Sequence, residues 1–266
     1  MHKLLHKRRF LCINIIFCTI KYLDKLKRLL YNKDMNKIKT VQAIGEIRSD
    51  FKEKFGIPRQ SGRALSLRSE IIFYAPYNCV EAFRDLDSFS HIWLIFEFSK
   101  AEDKDFSPTV RPPRLGGNTR VGVFASRSPY RPNRIGLSCV KLEQIKHTQS
   151  DGIVLVVSGA DLLDGTPILD IKPYIPFTDC KENALGGYAS THENDYLEVD
   201  FPQELIEKIP ESKRAGLLDC LADDPRPSYQ NSPKRIYGMK FAEFEIKFQV
   251  MENILRVVSV EKVPNA

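Results

Sequence analysis

The amino-acid sequence predicts a mainly β protein with a small α+β portion at its C-terminal end. Two observations support this prediction. Short segments rich in Val, Ile, Phe and Thr recur along the first two thirds of the chain, and Gly, Pro, Asn and Asp separate them. Few helical patterns lie between these segments, which argues against the parallel sheet of a doubly wound fold. We therefore expect an antiparallel sheet or a closed barrel.

Seven segments are predicted as strands. In chain order they are residues 37–49, 68–74, 91–98, 120–126, 135–145, 152–159 and 166–174. Alternation of apolar and polar residues is clearest around Val140 and Leu142 and around Ile168 and Asp170. A short helix is predicted within residues 80–89, VEAFRDLDSF, because its apolar residues fall on one helical face.

The C-terminal part has a different pattern. Residues 176–195 are mostly polar and small, which is typical of a linker or a long loop. A strand, a helical stretch from Pro202 to Leu221 and a pair of strands follow. Because a segment of about 70 residues is marginally stable alone, we expect it to pack on the barrel or on a partner subunit. We predict a barrel domain over residues 35–180 and a small α+β domain over residues 181–266.

The composition and charge exclude several classes of protein. The chain has 266 residues, of which 42% are hydrophobic and 28% charged, so it is not a disordered, collagen-like or polytopic membrane protein. Its formal net charge is +6. Residues 1–34 contain nine Lys or Arg and two Asp, so this extension carries +7 and the remainder carries only −1.

The basic and apolar extension, residues 1–34, precedes Met35. Its apolar run is shorter than the ~20 residues of a transmembrane helix, and no cleavage site typical of a signal peptide follows it. We therefore expect no stable membrane insertion. Three interpretations stay open: translation starts at Met35, the extension lies on a membrane surface as an amphipathic helix, or it has a structural role.

The six cysteines are scattered, without a C-x-x-C pair or a histidine at metal-ligand spacing. This distribution indicates neither a disulfide framework nor a zinc site, and we expect no metal. A reducing compartment is favoured, which predicts a cytoplasmic protein.

Residues 107–141 form an arginine-rich window. This segment contains six Arg and one Lys but no Asp or Glu, and Pro and Gly residues stiffen it. Arginine binds phosphate and carboxylate groups through paired hydrogen bonds, and the nearby Phe124 and Tyr130 could stack on a base. The alternative is an ordinary solvated charged face. The absence of acidic residues favours an anion or nucleic-acid site.

Common catalytic signatures are absent from the sequence. It contains no G-x-G-x-x-G, no Walker loop, no H-E-x-x-H and no G-x-S-x-G. A Rossmann or P-loop nucleotide site is therefore not expected. Asp161 and Asp164 lie on either side of two leucines before a Gly-Thr-Pro turn, where an aspartate is commonly only a turn former.

Several strings of residues together resemble the TrmO (TsaA-like) family. They are PRQ at 58–60, APYN at 75–78, FSHIWLIFEF at 89–98, the run from 108 to 138, DLLDGTPILDIKPY at 161–174 and DPRPSY at 224–229. The resemblance extends from about Ile44 to Val260. It implies a single-sheeted antiparallel β-barrel that binds S-adenosylmethionine, followed by a small C-terminal domain, in a homodimer. The implied reaction is methylation of N6 of threonylcarbamoyladenosine at tRNA position 37, next to the anticodon.

The resemblance also implies which residues bind the methyl donor. They are Pro58, Arg59, Gln60, Phe98, Ser99, Arg127, Leu137, Asp161, Leu162, Leu163 and Asp164. A donor with an amino-acid tail and an adenosine needs a guanidinium for its carboxylate, and Arg127 or Arg59 could supply it. The Asp161–Asp164 turn would hold the ammonium and ribose hydroxyls, and the leucines would form apolar walls for the adenine.

The remaining arginines of the window, Tyr130 and one arginine of the C-terminal part are predicted to bind the anticodon loop of the tRNA. They are Arg111, Arg114, Arg120, Tyr130, Arg131, Arg134 and, in the C-terminal part, Arg226. A proton acceptor cannot be assigned from the sequence, since Asp161, Asp164, His91 and Tyr130 are equal candidates. The alternative to an enzyme is a non-catalytic RNA- or nucleotide-binding barrel that uses the arginines alone.

Overall fold

The structure is a computed structural model that describes residues 40–101, 105–116, 118–192, 195–226 and 232–263. The predictions for residues 1–34 concern a segment that lies outside these described residues. From residue 42 onward the chain belongs to one compact unit.

The described residues contain twelve β-strands and three α-helices. The strands are β1 (Gly45–Arg48), β2 (Arg68–Phe73), β3 (His91–Glu97), β4 (Thr109–Val110), β5 (Val121–Gly122), β6 (Ile135–Thr148), β7 (Gly152–Ser158), β8 (Thr166–Pro173), β9 (Glu198–Asp200), β10 (Tyr237–Phe241), β11 (Phe244–Met251) and β12 (Ile254–Lys262). The helices are α1 (Pro176–Asp179), α2 (Gln203–Ile206) and α3 (Glu211–Ala222).

Six strands close into a barrel in the order β1-β2-β7-β6-β3-β8. Strand β1 pairs with both β2 and β8, which closes the sheet, and every pairing in the barrel is antiparallel. The predicted fold class, a mainly β chain with a single-sheeted antiparallel β-barrel and a C-terminal α+β portion, is thereby confirmed.

Alternation along β3 and β6 builds the interior of the barrel. Ile92, Leu94 and Phe96 of β3 are buried there, and Ser138 of β6 is an inward-facing polar residue. Gly136, two residues before Ser138, lies under the Phe96 ring, where an added Cβ would approach a ring carbon to 2.2 Å. A residue without a side chain is therefore required at this position.

A second core lies between the C-terminal sheet, α3 and the segment that joins β1 to β2. The C-terminal sheet has the order β10-β11-β12-β9, in which β9 runs parallel to β12 and the other pairs are antiparallel. Leu217 of α3 and Phe248 of β11 are buried in this core together with Phe51 and Leu67 from the β1–β2 segment. The second core thus includes residues from the barrel half of the chain.

One predicted strand is not part of the barrel. In residues 120–126, only Val121–Gly122 is a strand, and it pairs with β4 in a separate two-stranded ribbon. The residues that follow form a 3₁₀ turn, Val123–Ala125, in which Val123 is buried and Phe124 is exposed. The prediction was wrong because this segment buries one residue rather than one whole face of a strand.

The predicted helices are interrupted. Residues 80–89 form two short 3₁₀ turns, Val80–Phe83 and Leu86–Ser88, because Asp85 between them adopts a left-handed conformation with φ 63°. The predicted helix over 202–221 is divided into α2 and α3, and Pro210 is the N-cap of α3. In the part of the chain that the structure describes, no helix is long and apolar enough to cross a membrane.

Candidate functional site

The loop at residues 58–63, which we call the PRQSGR loop, makes two separate sets of contacts. Arg59 and Arg63 donate hydrogen bonds to Asp223, which follows α3. Gln60 and the Ser61 backbone instead contact Arg127 and Asp161. The loop is thus held between the end of α3 on one side and the predicted donor-binding residues on the other.

Asp161 is the carboxylate that faces the barrel interior at this loop. The Ser138 hydroxyl donates to Asp161 Oδ1 at 2.5 Å, and the Ser61 backbone N–H is a further donor. Burial raises the pKa of the Asp161 carboxyl, although these hydrogen bonds and the positive charge of Arg127 act to lower it. The effect of burial therefore outweighs these compensating contacts, so the ionised form of this carboxyl is less stable here than in water.

Arg127 is exposed and is oriented by Gln60. Its Nη1 donates to Gln60 Oε1 at 2.6 Å, and Gln60 Nε2 in turn donates to the Arg59 carbonyl at 2.7 Å. Both ends of the Gln60 amide are therefore engaged, which fixes the oxygen that Arg127 approaches. Arg127 retains further N–H groups that can bind a carboxylate or a phosphate.

Asp164 has a different environment from Asp161, although both belong to the same turn. Its Oδ1 accepts a hydrogen bond from the Ser49 backbone N–H at 2.8 Å, and its Oδ2 lies 2.6 Å from Lys52 Nζ. Asp164 thus holds the turn against the end of β1. The two leucines of the turn are also packed apart, because Leu162 lies in the barrel core and Leu163 contacts the second core.

The other predicted donor-binding residues lie just after β3, on β6 and at the start of the PRQSGR loop. Phe98 is partly buried with its ring edge-on to Phe96, and Ser99 is exposed. Leu137 is 49% exposed on the outward face of β6, next to Ile95 in the strand register. Pro58 is buried within the PRQSGR loop. No described hydrogen bond or ring contact joins Phe98, Ser99 or Leu137 to Arg127 or Asp161.

Of the predicted proton acceptors, Asp161 has the most distinctive environment. Asp164 is engaged by Ser49 and Lys52 as described, and His91 Nδ1 lies 2.9 Å from the Ser90 hydroxyl. Tyr130 is 42% exposed on the surface of the arginine-rich window. The four candidates that the sequence left equal thus have different environments.

The arginine-rich window forms an exposed surface with aromatic side chains. Phe124 is 74% exposed, and the Arg131 guanidinium carbon lies 5.9 Å from the centre of its ring. Arg131 also donates to the Ser126 carbonyl at 2.7 Å. Arg120 donates to the hydroxyl of Thr109 at 2.7 Å, and Arg111 is exposed. One guanidinium group and one exposed aromatic ring thus lie close together in this window.

Two further arginines predicted to bind tRNA have more constrained environments. Arg134 adopts a left-handed conformation with φ 47°, and its Nη1 donates to the Ala101 carbonyl at 3.3 Å. Arg226 is largely buried, and its Nε and Nη2 donate to the two carboxylate oxygens of Asp224 at 2.8 and 3.0 Å. The structure therefore does not place Arg226 with the exposed arginines. The side chain of Arg114 lies outside what the structure describes.

Two family models match the chain, and together they span almost all of the described residues. Residues 46–180 match the tRNA-methyltransferase O N-terminal domain, and residues 194–263 match the TrmO C-terminal domain. The chain belongs to the TrmO family.

Individual TrmO relatives and solved structures agree with this assignment. The chain is 39% identical over 228 residues to the tRNA (adenine(37)-N6)-methyltransferase of Escherichia coli K12, covering 83% of this chain and 97% of the relative. It is 44% identical over 174 residues to the enzyme of the same description from Eikenella corrodens, covering 65% of this chain and 97% of the relative. The crystal structure of TrmO from Pseudomonas aeruginosa superposes with a TM-score of 0.68 at 34% identity, covering 84% of this chain and 99% of that chain.

In this TrmO family member, the contacts around the candidate site involve residues that sequence reasoning missed. Ser138, Arg63 and Asp223 were not among the predicted site residues. Ser138 could have been found as the polar residue at an inward position of an otherwise apolar strand. No local signal identifies Arg63 with Asp223, because 160 positions separate them along the chain. Within the described residues, no group of three or more His, Cys, Asp or Glu side chains could hold a metal ion.

Proposed function

We propose that this chain transfers a methyl group from S-adenosylmethionine to N6 of adenosine 37 in tRNA, with threonylcarbamoyladenosine as the modified base that it accepts. The observation that supports the proposal is the placement of Arg127, Gln60 and Asp161 around one loop of a TrmO barrel, because Arg127 itself belongs to the arginine-rich window. A donor site and an RNA-binding surface are the two parts that such a reaction requires.

The chemistry of these side chains fits the proposed donor. Arg127 offers N–H groups to the donor carboxylate, and Asp161 offers a carboxylate to its ammonium group or ribose hydroxyls. Pro58, Phe98 and Leu137 supply apolar surface, and Ser99 supplies a hydroxyl. When bound, the donor supplies a methyl group on a positively charged sulfur, which is the reactive centre of the transfer.

The residues of the chain contribute mainly by positioning. Gln60 orients Arg127, and Ser138 and the Ser61 backbone orient Asp161. Precise approach of the acceptor nitrogen to the methyl group can supply several orders of magnitude in rate. Four of the predicted donor-site residues act indirectly in this proposal. Arg59 fixes the PRQSGR loop and Asp164 fixes the 161–164 turn. Leu162 and Leu163 anchor the same turn.

The RNA surface in this proposal is built from the arginine-rich window, in which Arg111, Arg120 and Tyr130 are exposed. Its members are Arg111, Arg114, Arg120, Tyr130, Arg131 and Arg134. Their charges would attract the phosphates of the anticodon loop, and Phe124 and Tyr130 would stack on unpaired bases. Arg226 contributes to this proposal through its ion pair with Asp224 rather than through a phosphate contact.

The proposal also covers the oligomeric state, the compartment and the domain boundaries of the chain. The chain works as a homodimer in the cytoplasm, with a barrel domain over residues 35–180 and a C-terminal domain over residues 181–266. Ile135, the outward-facing neighbour of Leu137 on β6, is 41% exposed, which is compatible with association of two copies beside the donor site. The free cysteines Cys79, Cys139, Cys180 and Cys220 support a reducing compartment.

The test is transfer of labelled methyl groups from S-adenosylmethionine to tRNA. We expect incorporation into tRNA that carries threonylcarbamoyladenosine and none into the same transcript without the modification. Arg127→Ala should weaken donor binding by about 10-fold or more, because a charged hydrogen bond of 1.5–3 kcal/mol is lost. The matched control is Arg120→Ala, which removes another exposed arginine of the same window and should leave donor affinity unchanged.

Two results would contradict the proposal. Absence of transfer to either tRNA would remove the enzymatic function. Salt-dependent tRNA binding without any stabilisation by S-adenosylmethionine would instead favour the alternative, a non-catalytic RNA-binding barrel.

A further inference from the structure

Asp223 is the one charged residue among the buried polar residues of the described chain, and only 3% of its surface is exposed. The other buried polar residues are Ser69, Ser138, Ser158 and Thr166, all of which are hydroxyl side chains. A carboxylate in such a place is retained only where donors compensate its charge. The identity of those donors indicates what the carboxylate does.

Both described donors to Asp223 belong to the PRQSGR loop. Arg63 Nε donates to Oδ1 at 2.6 Å, and the Arg59 backbone N–H donates to Oδ2 at 3.1 Å. The two oxygens of one buried side chain thus hold two points of the loop, four residues apart. Asp223 itself is fixed at the end of α3, where its backbone N–H donates to the Asp219 carbonyl at 3.1 Å.

The residues between these two points contact the donor-binding side. Gln60 Oε1 accepts from Arg127, the Ser61 N–H donates to Asp161, and the Gly62 N–H donates to the Gly159 carbonyl at 2.9 Å. The carboxylate therefore pins the loop immediately before and immediately after the three residues that face the donor-binding groups.

The segment after Asp223 reinforces this arrangement through Arg59. Arg59 Nη2 donates to the carbonyls of Asp224 and Arg226 at 2.7 and 2.6 Å. Asp224 adopts a left-handed conformation with φ 50°, which turns the chain so that both carbonyls reach one guanidinium nitrogen. A loop without regular secondary structure loses conformational freedom when it is fixed in this way. Because the loop is already fixed in the folded chain, its ordering does not reduce the free energy of ligand binding.

We propose that Asp223 is a positioning residue for the methyl-donor site: it holds the PRQSGR loop so that Gln60 orients Arg127 and the Ser61 N–H reaches Asp161. This inference rests on the proposed function, since it assigns the donor to Arg127 and Asp161. It connects the C-terminal part of the chain to the donor site through contacts that neither part could make alone.

The test is the affinity of the full-length chain for S-adenosylmethionine, measured by calorimetry without tRNA. Asp223→Asn changes one oxygen into an NH₂ group that faces an N–H donor, at nearly constant volume. We expect the Kd for the donor to rise by about 10-fold or more while the variant remains folded by circular dichroism. If Asp223→Asn does not fold, Arg63→Met removes the Nε–H donor instead and should raise the Kd in the same direction.

The matched control is Asp219→Asn, one turn earlier on α3. Asp219 Oδ2 accepts a hydrogen bond from the Ser66 backbone N–H at 2.8 Å, just beyond the PRQSGR loop. This variant removes a carboxylate charge from the same end of α3, while the amide oxygen can still accept from the Ser66 N–H, and residues 58–63 stay in place. Its Kd for the donor should stay within about 2-fold of the wild-type value, because the Asp219 side chain makes no described hydrogen bond to residues 58–63.

Each outcome separates this inference from the proposed function. Wild-type donor affinity in folded Asp223→Asn, or an equal loss in Asp219→Asn, overturns the positioning role. If Arg127→Ala weakens donor binding but Asp223→Asn does not, the donor site stands and only the inference fails. If Arg127→Ala binds the donor as the wild type does, the proposed site and the inference fail together.

A double-mutant cycle tests the route through Arg127. In the Arg127→Ala background, Asp223→Asn should weaken donor binding much less than in the wild type, because the group that Gln60 orients is already missing. Two fully additive losses would overturn the route through Gln60 and Arg127.

Discussion

Two groups of arginines in this chain differ in what their guanidinium groups contact. Arg63 and Arg226, near the end of α3, form ion pairs with Asp223 and Asp224, and these side chains are largely withdrawn from solvent. Arg120 and Arg131 of the arginine-rich window donate to carbonyl and hydroxyl groups instead. The first group is neutralised by its partners, whereas the second keeps its positive charge.

The difference follows from the local sequence. The window from 107 to 141 contains no Asp or Glu, so its arginines find only neutral partners within it. The segment LADDPR places two carboxylates just before Arg226, and Arg63 of the PRQSGR loop reaches the first of them, Asp223, from a distant part of the chain. An arginine without a carboxylate partner is available to a phosphate, and an arginine with a buried carboxylate partner supports the fold.

Among the variants that test this difference, Arg226→Ala should have the largest effect on stability. Removing one partner of a largely buried ion pair should lower the free energy of unfolding by about 3 kcal/mol, since Asp224 is left without its counter-charge. Denaturation with urea measures this loss. The dependence of tRNA affinity on salt should stay as in the wild type. A stable variant with a flatter salt dependence would instead return Arg226 to the RNA surface, as the sequence predicted.

Arg131→Ala should have the opposite pattern. We expect tRNA affinity to fall about 10-fold, with the slope of log affinity against log salt reduced by about 0.7, because one phosphate contact in a single-stranded loop is lost. Stability should change little. Binding titrations at several salt concentrations provide the measurement, and Arg131→Lys is the control that should keep most of the slope. An unchanged slope in Arg131→Ala would show that this guanidinium does not contact phosphate.

Asp161 is intermediate between the carboxylates that pair with arginine and those that do not. It lies near the positive charge of Arg127, but it accepts hydrogen bonds from neutral donors. Its folded-state pKa is raised by burial, so the folded chain binds a proton more readily than the unfolded chain. Stability should therefore fall as pH rises from the unfolded pKa towards the folded pKa, by at most about 1.4 kcal/mol per pH unit.

Asp161→Asn should remove that part of the pH dependence and leave the chain at least as stable at neutral pH. Thermal unfolding followed across the acidic to neutral range measures the effect. Donor binding should be weakened in the same variant, because the carboxylate for a cationic ligand is gone. An unchanged pH profile would contradict the assignment of the raised pKa to Asp161.

The smallest effect is expected for an arginine that is both paired and exposed. Arg256 lies 3.4 Å from Asp200 on the C-terminal sheet, and more than half of its side chain is accessible to solvent. Arg256→Ala should change the free energy of unfolding by about 0–1 kcal/mol, because solvent screens such a pair. A loss as large as that of Arg226→Ala would show that pairing rather than burial distinguishes the two groups.

The sequence predicts the barrel well where its strands alternate. Alternation along β3 and β6 identifies buried and exposed faces, and the closed antiparallel barrel confirms the predicted class. The segment at 120–126 has the composition of a strand but buries only Val123, so composition alone could not exclude it. The helix breaks at Asp85 and near Pro210 depend on single backbone conformations that periodicity does not detect.

The candidate site was predictable only in part. The motif strings select Arg127, Gln60 and Asp161, which the structure brings together around one loop. They also select Asp164 and Arg59, whose described contacts fix the turn and the loop. This distinction depends on contacts across more than 100 positions of sequence, and a single sequence does not contain that information.

The second core contains residues from both the barrel half and the C-terminal part, which limits how the chain can be shortened. Phe51, Ala64, Leu67 and Leu163 all precede residue 180, yet they pack with the C-terminal sheet and α3. A shortened chain that ended at residue 180 would expose these side chains to water as an apolar surface that favours aggregation. It would also lack Asp223, and with it the carboxylate that holds the PRQSGR loop. Excision of the C-terminal part would thus compromise both the solubility and the ligand affinity of what remained.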